Sequence, residues 1–162
     1  MIVVSNTSPL TNLTTIGQFD LLRRLYGDVH IPEAVWDELN AGRMTWPGRD
    51  AVAEATWIHR HQVRNGTAVA ALLDDLDQGE AEAIVLALEL GADLLLVDEA
   101  DGRHHAQRLG LHVTGVIGTL RAAKEKRLID AVRPHLDALR SVAGFYIGEE
   151  LYQFVLGTVG ER

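Results

Sequence analysis

The chain has no cysteine, which removes disulfides and thiolate metal sites and leaves histidine and carboxylates as possible ligands. No apolar run approaches the roughly 18 residues a spanning helix needs. The first residues enter a strand pattern with no charged segment ahead of them, so neither a membrane span nor a signal peptide is expected, and the cytoplasm is the expected location. The phosphate cradles G-x-G-x-x-G and G-x-x-x-x-G-K-[ST] are missing, which argues against dinucleotide and P-loop binding. Ser5 and Ser8 lack a G-x-S-x-G context, and no strand ends in the Asp-x-Asp of an aspartyl phosphatase. Basic residues are too few for broad, nonspecific nucleic-acid binding: the formal charge is −8, and such binding works by displacing counterions with Lys and Arg. Aromatic residues are sparse, and Trp36, Trp46 and Trp57 read as core or loop anchors rather than base-stacking platforms.

What is present bounds a single domain. The 162 residues with 47% hydrophobic composition suffice for one buried core, so residues 1–162 are read as one unit, with 141–162 as a packing or dimerisation extension. Charge is unevenly spread. Between Arg64 and Arg103 no basic residue occurs, while ten acids do, including Asp77, Glu80, Glu82, Asp98, Glu99 and Asp101. From Arg103 to Arg140 eight Lys or Arg face three acids. An acidic centre beside a basic flank suits a metal site with a phosphate chain next to it.

Strand and helix patterns alternate. Residues 2–5 are apolar and β-branched, and Ser5-Asn6-Thr7-Ser8-Pro9 reads as a turn out of the strand. A helical stripe runs from Phe19 to Tyr26, and a short strand covers Val29–Ile31. A helix with Pro32 in its first turn stops near Gly42, before a loop over 43–50. Residues 57–63 suggest a more exposed strand. The helix Glu80–Leu90, stopped by Gly91, precedes a strand over 94–97. Further helices are expected at 100–109, 116–126, 130–140 and 150–156, with strands at 111–114 and 145–147. This alternation means a parallel sheet covered on both faces.

Ligand sites of open α/β sheets lie at the carboxyl ends of strands. Asn6 ends the first strand and Asp98 ends the strand after the Gly79 helix. Glu80 opens that helix. Glu38 lies about 7 Å along its helix from Glu33, within side-chain reach of the same edge. Glu82 is the alternative to Glu80, since two residues on a helix point about 200° apart. Asp101 and Glu99 could also reach the site. Three or four oxygen ligands in one pocket make a hard-cation site for Mg²⁺ or Mn²⁺, ions that activate water and stabilise a leaving oxygen in phosphodiester cleavage. The pairs His59-x-His61 and His104-His105 read as edge-strand and surface histidines, with Arg103, His104 and Arg108 as candidate phosphate contacts.

At these residues the sequence resembles a PIN domain, in the VapC-related branch. The matching segments are Val4-Ser5-Asn6-Thr7-Ser8-Pro9-Leu10, Ile31–Leu39, Gly79-Glu80-Ala81-Glu82-Ala83-Ile84, and Leu94–Asp98 with Gly102-Arg103. The resemblance implies an α/β/α sandwich with a mostly parallel sheet of order 3-2-1-4-5. It also implies a Mg²⁺- or Mn²⁺-dependent endoribonuclease, the toxin of a toxin–antitoxin pair, with Asn6, Glu38, Glu80 and Asp98 as catalytic metal ligands. Ser8 would support the Asn6 position, and Arg103 or the basic stretch 121–127 would position RNA. A small antitoxin and a homodimeric state follow from the same resemblance. Asn6 stands where most PIN domains have Asp, and a neutral amide holds a cation less strongly. The alternative is therefore a non-catalytic PIN-like module that binds RNA or protein.

Overall fold

The structure, a computed structural model, describes residues 1–40 and 48–162. Its strands are β1 (Val3–Ser5), β2 (Val29–Pro32), β3 (Ile58–His61), β4 (Leu94–Leu96) and β5 (Val113–Thr114). They form one sheet of order β3-β2-β1-β4-β5 in which every neighbouring pair is parallel. The described helices are α1 (Thr7–Thr15), α2 (Asp20–Tyr26), α3 (Glu33–Asn40), α4 (Arg49–Glu54), α5 (Gly66–Leu72), α6 (Gln78–Leu90), α7 (Ala100–Arg108), α8 (Val116–Glu125), α9 (Arg133–Ser141) and α10 (Glu149–Thr158).

The central strands are buried on both faces, and their two-residue period divides the core. Val3 and Leu96 pack with Leu10 and Leu13 of α1, Leu21 and Leu22 of α2, Leu120 of α8 and Leu136 of α9. Val4, Leu95 and Val97 face the other way, against Ala83, Ile84, Leu86 and Ala87 of α6 and Ala106 of α7. The register Val4↔Leu95 keeps those two residues on one face. On that second face α6 buries Ala81, Ala83, Ile84, Val85, Leu86 and Ala87, with Ala81 and Val85 packed on Val69 of α5. It begins at a capping box formed by Asp77 and Glu80 and stops at Gly91, whose φ of 61° is the left-handed conformation a helix terminus calls for.

Several expectations change. Thr7, Ser8 and Pro9, expected in a turn, open helix α1. Its threonines are poor helix formers, but Thr14 and Thr15 return their hydroxyls to the Leu10 and Thr11 carbonyls (2.6 and 2.7 Å), while Leu10 and Leu13 fill the core. Pro32 closes β2 instead of opening α3. Helices α4 and α5 were not expected. Residues 145–147 form no strand: Phe145 N–H donates to Leu139 O, and the Arg140 guanidinium donates to Ile147 O (2.9 and 3.2 Å), so this backbone is engaged by α9. The expected stop near Gly42, most of the 43–50 loop, and Trp46 lie outside the described residues.

The C-terminal residues are tied into the domain by charge. The Glu161 carboxylate accepts from Val132 N–H (2.7 Å) and Arg133 N–H (3.1 Å) at the start of α9, and from Lys124 Nζ (3.1 Å). Tyr152, Val155 and Leu156 of α10 belong to the same core cluster as β1. No described helix is long and apolar enough to cross a membrane.

Candidate active site

Asn6 leaves the sheet where β1 meets α1. Its N–H donates to Leu96 O at 2.9 Å, which fixes it beside β4. It occupies the N-cap position of α1, yet its side chain makes no capping bond. That side chain is 3% exposed; its Nδ2 donates to Glu99 Oε2 at 3.5 Å, and its Oδ1 has no hydrogen-bond partner. A buried oxygen left in this state costs about 1–3 kcal/mol.

Asp98 follows β4. Its Oδ1 accepts from Val116 N–H at 2.8 Å, and its buried Oδ2 has no partner. Gly115 gives the carboxylate its room, since a Cβ there would overlap Asp98 Oδ1. Burial pushes the Asp98 carboxyl up to about 6; the Val116 N–H, Arg103 and Asn12 pull it down, while the charge of Glu99 adds to the rise.

Glu80 and Glu38 arrive on α6 and α3. Glu80 is 8% exposed, its Oε1 accepts from Asp77 N–H (3.3 Å), and a Cβ on Gly102 would come within 2.9 Å of its Oε2. Burial first, then Asp77 and Glu99, push the Glu80 carboxyl up to about 7, against the single Asp77 N–H. Glu38 accepts from Thr7 Oγ1 (2.5 Å) and from the Gly79 backbone. A Cβ at position 79 would overlap Glu38 Oε1, so the glycine lets α6 begin against that carboxylate without displacing it. Desolvation, with Asp77 and Glu99, raises the Glu38 carboxyl as well.

Glu99 is the residue the sequence underweighted. It receives Ser8 Oγ at 2.8 Å and the Asn6 amide, and its charge acts on Glu38, Glu80 and Asp98 alike. Ser8 thus acts on Glu99 rather than on Asn6. Thr7 and Asp77 were also missed, although Asp77-x-x-Glu80 carries the capping-box signature. Glu82 points elsewhere: it accepts from Ala34 N–H (3.1 Å) and Gln78 Nε2 (2.6 Å). Asp101 is exposed on α7. The histidines stand apart: His59 pairs with Asp28, His105 with Asp75, and His30 Nδ1 lies 2.8 Å from His61 Nε2.

Among the described residues, no Lys or Arg forms an ion pair with Glu38, Glu80, Asp98 or Glu99. This acidic edge is left with two unpartnered buried oxygens, and Arg103 acts on Asp98 without forming an ion pair with it. A family model described as a PIN domain, DUF3368, matches residues 2–161. The chain belongs to the PIN domain family. No curated protein matches it.

PIN domains are generally nucleases and typically use divalent metals, and the donors of this PIN domain suit such an ion. Asn6 Oδ1 and Asp98 Oδ2 are oxygens buried without partners, and the raised Glu80 carboxyl has no positive charge among the groups that shift it. Among the described residues, no three His, Asp or Glu side chains are drawn together closely enough to hold an ion alone. An ion here would thus depend on the Asn6 amide and on water for part of its shell.

Proposed function

We propose that this PIN domain is a metal-dependent endoribonuclease that hydrolyses RNA phosphodiesters. Asn6, Glu38, Glu80 and Asp98 would hold Mg²⁺ or Mn²⁺. The observation that carries the reading is the pair of unpartnered buried oxygens, Asn6 Oδ1 and Asp98 Oδ2, at one sheet edge. When bound, the ion supplies positive charge against the phosphate and lowers the pKa of water. The chain's own residues do the rest. Val116 N–H orients Asp98, Thr7 orients Glu38, the capping box orients Glu80, and Ser8 holds Glu99 as a further carboxylate for accepting a proton. Arg103, whose charge already acts on Asp98, would meet the RNA backbone.

The test is cleavage of a mixed structured-RNA panel with Mn²⁺ or Mg²⁺ by wild type, Asp98→Asn and Asn6→Asp. Wild type is expected to cleave, and Asp98→Asn to lose at least about 100-fold, above what second-shell changes cost at metal sites. Full activity in Asp98→Asn would sink the reading. A second reading, a non-catalytic RNA- or protein-binding module, rests on the neutral Asn6. It is favoured if wild type is silent.

In the narrower biological reading, the protein is a VapC-like toxin, a homodimer held by a small antitoxin. Growth arrest on expression, abolished by Asp98→Asn, is the expected outcome.

A further inference from the structure

Three histidines that the acidic edge does not use share one face of the sheet. Residues two apart on a strand point the same way. His59 and His61 of β3 therefore lie on one side and Arg60 on the other, where it meets Glu33 and Trp36. His30 of β2 stands opposite His59 in the register. Its ring centre is 5.2 Å from that of His59 and 4.9 Å from that of His61. Val4 is the register partner of His30 on β1, which places the three rings on the face covered by α6.

His30 Nδ1 and His61 Nε2 face each other at 2.8 Å. One ring must donate there, since two lone pairs would repel. Burial first, then His61 and His59, holds His30 below its ordinary 6.5 against the opposing charge of Asp28. Burial and His59 do the same for His61. Both rings are thus neutral at neutral pH, the form in which imidazole binds a metal. His59 is committed elsewhere, with its Nε2 2.9 Å from Asp28 Oδ1.

We propose that His30 Nδ1 and His61 Nε2 together bind Zn²⁺, which clips the edge strand β3 to β2. Zn–N bonds of about 2.0–2.1 Å at a tetrahedral angle set two nitrogens about 3.3 Å apart. The rings need to part by only about half an ångström from their 2.8 Å separation. The donating ring moves its proton to its other nitrogen, so both rings stay neutral and no proton is lost. Among the described residues no third His, Asp or Glu converges on the pair, so water completes the shell. Room for that water lies in a cavity of about 300 Å³ lined by His61, Gln62, Arg64 and, on α6, Leu86, Glu89 and Leu90. Imidazole nitrogens suit Zn²⁺, whereas carboxylate oxygens suit Mg²⁺ and Mn²⁺. The site differs in chemistry from the acidic edge and does not depend on the ribonuclease reading.

The test titrates Zn²⁺ into the full chain carrying Asp98→Asn at about pH 7.5, read by calorimetry and by the imidazole ¹⁵N resonances. That background weakens the competing oxygen site. A saturable phase is expected in which His30 Nδ1 and His61 Nε2 shift together, and Mg²⁺ should move neither. Changing an outer-shell partner of a metal already costs roughly 10–100-fold in affinity. His30→Gln and His61→Gln, which remove a ligand, should each lose at least about tenfold. His59→Gln should leave the affinity nearly unchanged. Zn²⁺ should also raise the thermal midpoint, and His61→Gln should abolish that rise.

The proposal is overturned if neither nitrogen shifts, if His61→Gln binds Zn²⁺ like its parent, or if His59→Gln loses as much as His30→Gln. Midpoints in EDTA check that the variants fold. The resonance shifts need no histidine variant, so they decide the matter even where one unfolds.

Discussion

Glu161 and Glu80 are the same side chain in opposite surroundings. Glu161 accepts from two backbone N–H groups at the start of α9 and from Lys124, and these donors outweigh its burial and hold its carboxyl below the usual range. Glu80 has one N–H from Asp77 and faces the charges of Asp77 and Glu99, and burial pushes it up to about 7. The first carboxylate is settled by the protein itself and locks the C-terminus to α9. The second is left in debt to a positive charge that the fold does not provide. The contrast is what the proposed function uses: an external cation at the acidic edge would do for Glu80 what Lys124 and the α9 N–H groups do for Glu161.

The largest expected effects separate the two regions. Asp98→Asn should reduce RNA cleavage at least about 100-fold while leaving the thermal midpoint nearly unchanged or slightly raised, because it removes a desolvated charge. Glu161→Gln should do the reverse. It leaves the α9 N–H groups and Lys124 with a weaker acceptor, which costs about 1–3 kcal/mol and lowers the midpoint, while cleavage at low temperature persists. Activity and thermal denaturation measured on both variants check the contrast.

The pH dependence sharpens it. Glu80 and Asp98 have folded values of about 7 and about 6, above their ordinary 4.5 and 3.8. Between roughly pH 4 and 7 the folded chain therefore holds more of these protons than the unfolded chain, so their contribution to stability falls as pH rises. Glu161, held below 4.5, contributes above that pH and loses its contribution as pH falls through its lowered value. Thermal midpoints taken from pH 4 to 8 should show a decline toward neutrality that Glu80→Gln flattens. Extending the scan to about pH 3 should also show an acid-side loss that Glu161→Gln removes. A neutral-side slope unchanged in Glu80→Gln would contradict the assignment.

Asn6→Asp is the smallest change. It adds a charge where the amide oxygen is unpartnered, and should tighten Mn²⁺ binding and raise cleavage several-fold, with some loss of stability in metal-free buffer. Reduced metal affinity in this variant would mean that Asn6 Oδ1 does not face the ion.

The acidic edge was legible in the sequence, the Glu161 anchor was not, and the other misses have physical reasons. Short apolar runs ending at Asn6 and Asp98, with a helix opening at Glu80, pointed to one edge because parallel strands deliver their ends together; the five-stranded order and the helices on both faces agree with that pattern. Helix α1 was hidden by Pro9 and its threonines, whose low propensity is outweighed by burial of Leu10 and Leu13. The strand expected at 145–147 followed the β-like residues Phe145, Tyr146 and Ile147, but the Arg140 guanidinium and Leu139 carbonyl claim that backbone. Glu99 was named only as one more residue that could reach the site. Its importance comes from Ser8, 91 positions earlier in the chain, and only the closed sheet brings the two together.

The most direct test of the central claim is a Mn²⁺ titration of the thermal midpoint at pH 7.5 in wild type, Asp98→Asn and Glu161→Gln. The account predicts saturable stabilisation of roughly 3 °C or more in wild type, most of it lost in Asp98→Asn and fully retained by Glu161→Gln from a lower starting point. An equal rise in Asp98→Asn, or no rise in wild type, would contradict it.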